Sequence, residues 1–188
     1  MALCVYNTLS KKEEPFIPLE PGKVSMYVCG ITPYDETHLG HGRAYVAFDV
    51  IRRYLEYSGF KVQYIQNITD IDDKIIDKAN SQNKTIEEIS RACANSFFEA
   101  MDKLKVKKAT AYPKATENID GMIELISGLV SSGYAYASEG DVYFNISKDP
   151  SYGKLSGRDI EGMQAGARVE VSGKKKKCRI FSAALKCL

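Results

Sequence analysis

The sequence carries little net charge, few histidines, no long apolar run and no closely spaced cysteine pair. Lysine and arginine number 26 against 24 aspartate and glutamate, a formal charge of +2, which supplies no electrostatic argument for a nucleic-acid partner. No stretch is apolar enough over enough residues to cross a bilayer, so no membrane partner is expected. The opening residues lack a basic flank followed by an apolar stretch, so no secretory signal is read there. The five cysteines, Cys4, Cys29, Cys93, Cys178 and Cys187, are odd in number and widely spaced. That argues against a disulfide framework and for a reducing compartment, with a cytoplasmic location expected. With no CxxC pair, no complete metal site can be read locally. What remains is a chain of 188 residues, 44% hydrophobic, long enough for one domain or one and a half and able to bury a core.

Pro18 to Gly22 reads as a turn. Val24 to Cys29 follows, apolar and partly β-branched, and reads as a buried strand ending at Gly30. A loop over 31–37, broken by Pro33, leads to a helix over 39–58 on the spacing of Val46, Phe48, Val50, Ile51, Tyr54 and Leu55, with Gly59 placed to end it. Residues 61–67 form a second strand, after which Thr69 or Asp70 is expected to cap a helix through Lys74–Lys78. Strand, helix and strand in this span make a βαβ unit with parallel strands. Its consequence is functional: both strands end on one edge of the sheet, so the loops after Cys29 and after Asn67 face one crevice, where open α/β sheets bind ligands. Residues 85–106 read as a helix starting at Thr85, and 109–114 as a joint. Thr116 is expected to cap a further helix that Gly133 ends, and Tyr134–Tyr136 and Val142–Ile146 to form a β-hairpin. The chain thus opens as α/β and turns into a smaller α+β module.

The two histidines, His38 and His41, fall where the first loop enters the helix. Gly40 between them permits close backbone approach by a ligand. A helix N-terminus attracts anions, and two imidazoles three residues apart there can face a phosphate. A bare HxxH reads more simply as one capping and one exposed histidine; the crevice and Gly40 tip the reading towards phosphate. Cys29, at the mouth of the same crevice, is compatible with plain core, with a nucleophile that would need a base, and with a metal ligand whose partners lie elsewhere. The residues alone leave that choice open. Asp70, Asp72 and Asp73 could hold magnesium, but acids in a first helical turn are the simpler reading. Asn67 and Thr69, at the strand end, are better placed to touch a ligand. The run Lys174–Lys177 reads as a solvated patch.

The stretches Met26-Tyr-Val-Cys-Gly-Ile-Thr-Pro-Tyr-Asp35, His38-Leu-Gly-His41 and Gln66-Asn-Ile-Thr-Asp-Ile-Asp-Asp-Lys74 together resemble the cysteinyl-tRNA synthetase family. Tyr6-Asn-Thr-Leu-Ser, Gly133-Tyr-Ala-Tyr136, Gly140-Asp-Val-Tyr-Phe144, Tyr152-Gly-Lys-Leu-Ser156 and Ala165-Gly-Ala-Arg-Val169 fit the same pattern. HxGH alone marks class I synthetases and some nucleotidyltransferases; its combination with YVCGIT and NITDIDDK is far more specific. The resemblance implies the first half of a class I synthetase Rossmann (HUP-like) parallel sheet over 1–108 and part of an inserted α+β connective module over 109–173. It implies activation of L-cysteine by ATP, with magnesium, and transfer of the cysteinyl group to tRNA(Cys). It implies phosphate binding by His38, Gly40 and His41 and a cysteine site lined by Gly30 and Thr32. Asn67 and Thr69 would contact the adenylate, and Cys29 would be one of four protein ligands of a zinc ion that also binds the substrate thiolate. A soft thiolate on zinc would separate cysteine from serine, which shape alone separates poorly.

The pattern also implies that the other zinc ligands, a KMSKS loop, the second half of the sheet and the tRNA-holding helices lie beyond residue 188, so this chain alone is expected to be truncated and inactive. Residues 174–188 form an aberrant tail: Cys178 to Leu188 leave the family pattern directly after the four lysines. A disrupted frame, an alternative transcript or a gene-model error is expected there. Two other functions remain open at this stage. One is a cysteine ligase of mycothiol biosynthesis acting on an amino sugar; the other is a non-enzymatic fragment. The stretch Gly42-Arg-Ala-Tyr-Val-Ala-Phe48 and the Gly140 hairpin lean towards the synthetase.

Overall fold

The computed structural model describes residues 3–138 and 140–157. The Ala165–Val169 pattern, the Lys174–Lys177 run, Cys178, Cys187 and the aberrant tail lie outside the described residues. In chain order the elements are β1 (Cys4–Asn7), β2 (Lys12–Pro15), β3 (Lys23–Ile31), α1 (Leu39–Tyr57), β4 (Lys61–Ile68), α2 (Asp73–Gln82), α3 (Ile86–Lys103), α4 (Ile119–Ser131), β5 (Ala135–Ser138) and β6 (Asp141–Phe144). Short 3-10 turns cover Thr116–Asn118 and Ile146–Lys148. No described helix is long and apolar enough to cross a membrane. The chain divides into two units, Ile17–Ile119 and Met1–Phe16 with Asp120–Leu188.

In the unit Ile17–Ile119, β3 and β4 pair in parallel, as the βαβ reading requires. Side chains alternate across the pleat. Val24 and Val28 of β3, with Tyr64, Gln66 and Ile68 of β4, are buried. Tyr45 of α1 and Phe97 and Met101 of α3 close over this face, with Phe48 and Val106 packed at the margin. The opposite face of β3 departs from the expected buried strand: Ser25 and Cys29 are exposed and Tyr27 is 65% exposed. Among the described residues only one side of the sheet is covered.

Helix α1 has the expected span, ending at Ser58 with Gly59 at φ +91°, a backbone region that suits glycine. The buried positions are Gly42, Tyr45 and Leu55, whereas Val46, Val50, Ile51 and Tyr54 are exposed. The period is helical, but the face towards the sheet is set by Tyr45 and Phe48 rather than by the aliphatic stripe. The cap of α2 also differs from expectation: it is Asp72, whose Oδ1 accepts the Lys74 N–H at 3.0 Å, not Thr69 or Asp70. Asp70 is engaged elsewhere, accepting the Thr116 N–H and Oγ1–H at 3.0 and 2.6 Å. Thr116 accordingly caps nothing; it opens the 3-10 turn that precedes α4. Thr85 caps α3 in a reciprocal box with Glu88, and that helix ends at Lys103 rather than 106.

Residues 109–115, read as a joint, form a third line of pairing along β4. Thr110 N–H donates to Tyr64 O at 2.7 Å, Gln66 N–H to Ala111 O at 3.2 Å, Ile68 N–H to Pro113 O at 2.9 Å and Ala115 N–H to Ile68 O at 3.0 Å.

In the other unit, β1 and β2 form a hairpin around Lys11 at φ 58°. The expected second hairpin is present as β5 and β6, with Gly140 at φ +90° in its two-residue turn. There Ala135, Tyr143 and Ile146 are buried, and Tyr134 and Tyr152 ring-stack against Phe144.

Candidate active site at the carboxyl ends of β3 and β4

The β3–β4 register runs from Lys23↔Lys61 to Val28↔Gln66 and then jumps to Ile31↔Ile68. Cys29 and Gly30 therefore stand opposite Asn67 alone. This is a bulge, a device that re-aims a side chain at the end of a strand. It leaves Ile31 in the core while Cys29 stays exposed. Two side chains complete its hydrogen bonding: the Gly30 N–H donates to Asn67 Oδ1 at 2.7 Å, and the buried Tyr45 hydroxyl donates to the Cys29 carbonyl at 3.2 Å. Asn67 Nδ2 donates on to Thr69 Oγ1 at 3.2 Å, and the Thr69 N–H returns to Ile31 O at 3.0 Å. Gly30 has no room for a side chain, since a Cβ there would stand 1.5 Å from the Asn67 carbonyl oxygen. Cys29, Gly30, Asn67 and Thr69 are thus joined in one hydrogen-bonded patch, with Thr32 half-buried just after it.

His38 and His41 open α1. His38 is the N-cap, its Nδ1 accepting the Gly40 N–H at 3.1 Å, and His41 Nδ1 accepts the His38 N–H at 3.4 Å. The rings stack with centroids 3.9 Å apart. The capping expected of a bare HxxH is therefore present, but both histidines take part in it. An imidazole that accepts at Nδ1 carries its proton on Nε2 when neutral, so each ring keeps one N–H donor beside the positive end of the helix. Partial burial, and secondarily the charge of His38, pull the His41 pKa below its ordinary 6.5, which favours that neutral form. A Cβ on Gly40 would meet the His38 ring at 2.9 Å, so the glycine is what lets the imidazole fold over the helix end. His41 meets Phe97 edge-on at 6.3 Å and Phe97 meets Tyr45 at 5.0 Å. A packed path thus leads from the histidines to the Cys29 carbonyl.

The loop between β3 and α1 is anchored on the helices behind it. Lys78 of α2 pairs with Asp35 at 2.8 Å, and that hydrogen bond holds the Asp35 carboxyl below its ordinary pKa. Ser96 of α3 donates to Glu36 at 2.8 Å, and the Lys74 ammonium lies 4.9 Å from the Tyr34 ring centroid. Two of the three aspartates after β4 serve backbone, Asp72 capping α2 and Asp70 binding Thr116, while Asp73 lies in the first turn of α2.

Cys29 is exposed, so it is not plain core. Among the described residues, however, no group of three or more His, Cys, Asp and Glu side chains is placed to hold a metal ion. The described residues do not by themselves fit a zinc site. Tyr45, Tyr34 and Lys78 were not singled out from the sequence. Tyr45 had a signal, lying one helical turn after His41 and so on the same face of α1; nothing local marks Tyr34 or Lys78.

The model of the class I (C) tRNA synthetase catalytic domain matches residues 15–184. The Cysteine–tRNA ligase of Gloeothece citriformis is 50% identical, over 98% of this chain and 39% of its own length. That of Microcystis aeruginosa is 55% identical, over 90% of this chain and 36% of its own. The chain spans well under half the length of the curated relatives it matches. Among solved structures, Mycobacterium tuberculosis methionyl-tRNA synthetase in complex with methionyl-adenylate matches with a TM-score of 0.55 at 17% identity, covering 65% of this chain and 25% of that one. The LeuRS–tRNA–LeuAMS ternary complex of Agrobacterium radiobacter matches with a TM-score of 0.54 at 20% identity, over 70% and 17%. At such identities these two show a shared fold, a partial Rossmann-like sheet of the class I synthetase kind. With the family model covering nearly all of it, this chain belongs to the class I (C) tRNA synthetase catalytic domains.

Proposed function

We propose that this chain forms part of a cysteine–tRNA ligase, which condenses L-cysteine with ATP to cysteinyl adenylate and passes the cysteinyl group to the terminal adenosine of tRNA(Cys). Identities of 50–55% to Cysteine–tRNA ligases support the reading. The observation that carries it is the patch at the two strand ends, where Gly30, Asn67 and Thr69 are bonded together beside exposed Cys29, next in the chain to the His38–His41 cap.

Each residue takes a role that its surroundings support. Gly30 and Thr32 line the amino-acid pocket, Gly30 letting β4 approach so that Asn67 holds its N–H. Asn67 and Thr69 hold the adenylate. His38 and His41, each keeping an Nε2 donor, stabilise charge on the ATP phosphates as pyrophosphate leaves, and Gly40 lets the His38 ring fold over the helix end where those phosphates would lie. ATP enters with magnesium as substrate. Cys29 is one zinc ligand in this proposal; its companions would have to come from outside the described residues, and no step of the reaction is drawn through the metal. The domain division at residues 108 and 173 belongs to the same proposal, as does a cytoplasmic site of action.

The test is cysteine-dependent ATP–pyrophosphate exchange by the full-length protein, with serine as the competing amino acid. Exchange with cysteine at least a hundred-fold above serine is expected. Exchange independent of cysteine, or equal with serine, would refute the reading.

A further inference from the structure

The bulge poses a positional problem. A strand end that leaves its ladder at Val28 and resumes at Ile31 gives Cys29 and Gly30 no regular pairing to fix them. Asn67 fixes the Gly30 N–H from one side. At the other end of the same peptide group, the Cys29 carbonyl takes its bond from α1, the helix that carries both histidines, through a side chain only 5% exposed. Tyr45 is also held in orientation: its ring meets Phe97 edge-on, and Phe97, 2% exposed, meets His41 in turn.

We propose that Tyr45 is a positioning residue: its hydroxyl, by holding the Cys29 carbonyl, fixes the bulged strand end of the candidate cysteine site in the frame of the helix that bears His38 and His41. A phenylalanine would fill the same core volume, so packing alone does not call for the hydroxyl. The hydroxyl's partner is the one backbone carbonyl between the strand ladder and the bulge glycine. Two substrates that react must be held in one frame, and small misplacements cost large factors in rate. The inference rests on the cysteine-ligase reading for its substrates and on the Tyr45–Cys29 bond for its geometry.

The experiment is Tyr45→Phe, with Tyr64→Phe as a like change in the same core cluster. In the chain itself, amide exchange at Gly30 and Thr69 and alkylation of Cys29 are followed against Cys93 and Cys4. Tyr45→Phe is expected to speed exchange at the strand end about five-fold, the factor set by the net worth of one hydrogen bond, and to speed Cys29 alkylation. Cys93 and Cys4 should stay within two-fold. Tyr64→Phe should leave the strand end unchanged. No local change, or an equal rise at all three cysteines, overturns the proposal. In the full-length protein, kcat for cysteine-dependent exchange should fall several-fold more than either KM rises; unaltered kcat overturns it. Absence of activity in the unaltered protein would sink the functional reading and leave the exchange experiment to decide the role of Tyr45. Should Tyr45→Phe fail to fold, NMR of the unaltered chain decides. A slowly exchanging Tyr45 hydroxyl proton with a cross-peak to the Gly30 amide supports the bond; a fast-exchanging one overturns it.

Discussion

Gly30→Ala is a demanding change for this fold. The added Cβ would stand 1.5 Å from the Asn67 carbonyl oxygen and 2.6 Å from its carbon. Non-bonded carbons rest at about 3.5–4.0 Å and oxygens somewhat closer, so the strand ends must part by about 2 Å. The obstacle is backbone, so no rotamer change relieves it. Parting the strands stretches the 2.7 Å Gly30–Asn67 bond and the 3.0 Å Thr69–Ile31 bond, each worth about 1 kcal/mol net. Overpacking strain adds about 1–3 kcal/mol, so the total is about 3–5 kcal/mol. At about 2–4 °C per kcal/mol for a chain of this size, the melting temperature should fall by about 6–20 °C. Circular dichroism melts measure it. Gly121→Ala is the control, since nothing lies within 4 Å of its Cβ position in α4; it should raise stability by about 0.5–1 kcal/mol. A Gly30→Ala protein that melts within 2 °C of the parent, with unchanged amide exchange at Thr69, would refute the close-approach argument.

Other consequences are open to equally direct measurement. His41 has a folded-state pKa below its ordinary 6.5, so the unfolded chain binds the proton first. Its contribution to stability is complete above the unfolded value and is lost as pH falls through 6.5 and below. The melting temperature should decline over that window, and His41→Gln should flatten the decline; NMR titration of the only two histidines should place His41 under 6.5. Gln66 is 5% exposed, and its Nε2 has no hydrogen-bond partner among the described residues. Gln66→Met should therefore stabilise the chain by about 1 kcal/mol in chemical denaturation, and a loss of that size would mean the amide is satisfied in solution. Asp72→Ala should cost about 1 kcal/mol through the α2 cap, read by the same assay, whereas Thr69→Ala should leave the cap intact.

The βαβ frame was legible because its signals are local and periodic: β-branched runs for β3 and β4, a 3.6-residue spacing for α1, and Gly59 to end it. The start of α3 at Thr85 and the Gly140 turn were legible for the same reason. What escaped is what depends on a distant partner. Asp70 looks like a cap from its neighbours, but Thr116, 46 residues away, claims its carboxylate, and Asp72 inherits the cap. The buried face of α1 is chosen by Phe97 and Met101 of α3, which sequence spacing in α1 cannot report. The bulge leaves one local trace, Gly30, and that trace reads equally as the end of a strand. The candidate residues Cys29, Gly30, Asn67 and Thr69 meet at the strand ends because parallel pairing puts both ends there; the Tyr45 hydroxyl was missed because its acceptor is a backbone carbonyl, to which a sequence gives no clue.

The segment 109–115 acts as a selvedge. An open strand edge invites other chains to add to it. Here the chain hems β4 with its own following residues, and Pro113, which has no N–H to offer, sits in the hem itself. Asp70 then knots Thr116 to the end of β4. Whatever follows Ile119 can therefore vary in length or sequence without unravelling the sheet beside Asn67 and Thr69. A fold finished in this way can accept inserted material after Ile119 while the strand ends at Asn67 and Thr69 keep their places.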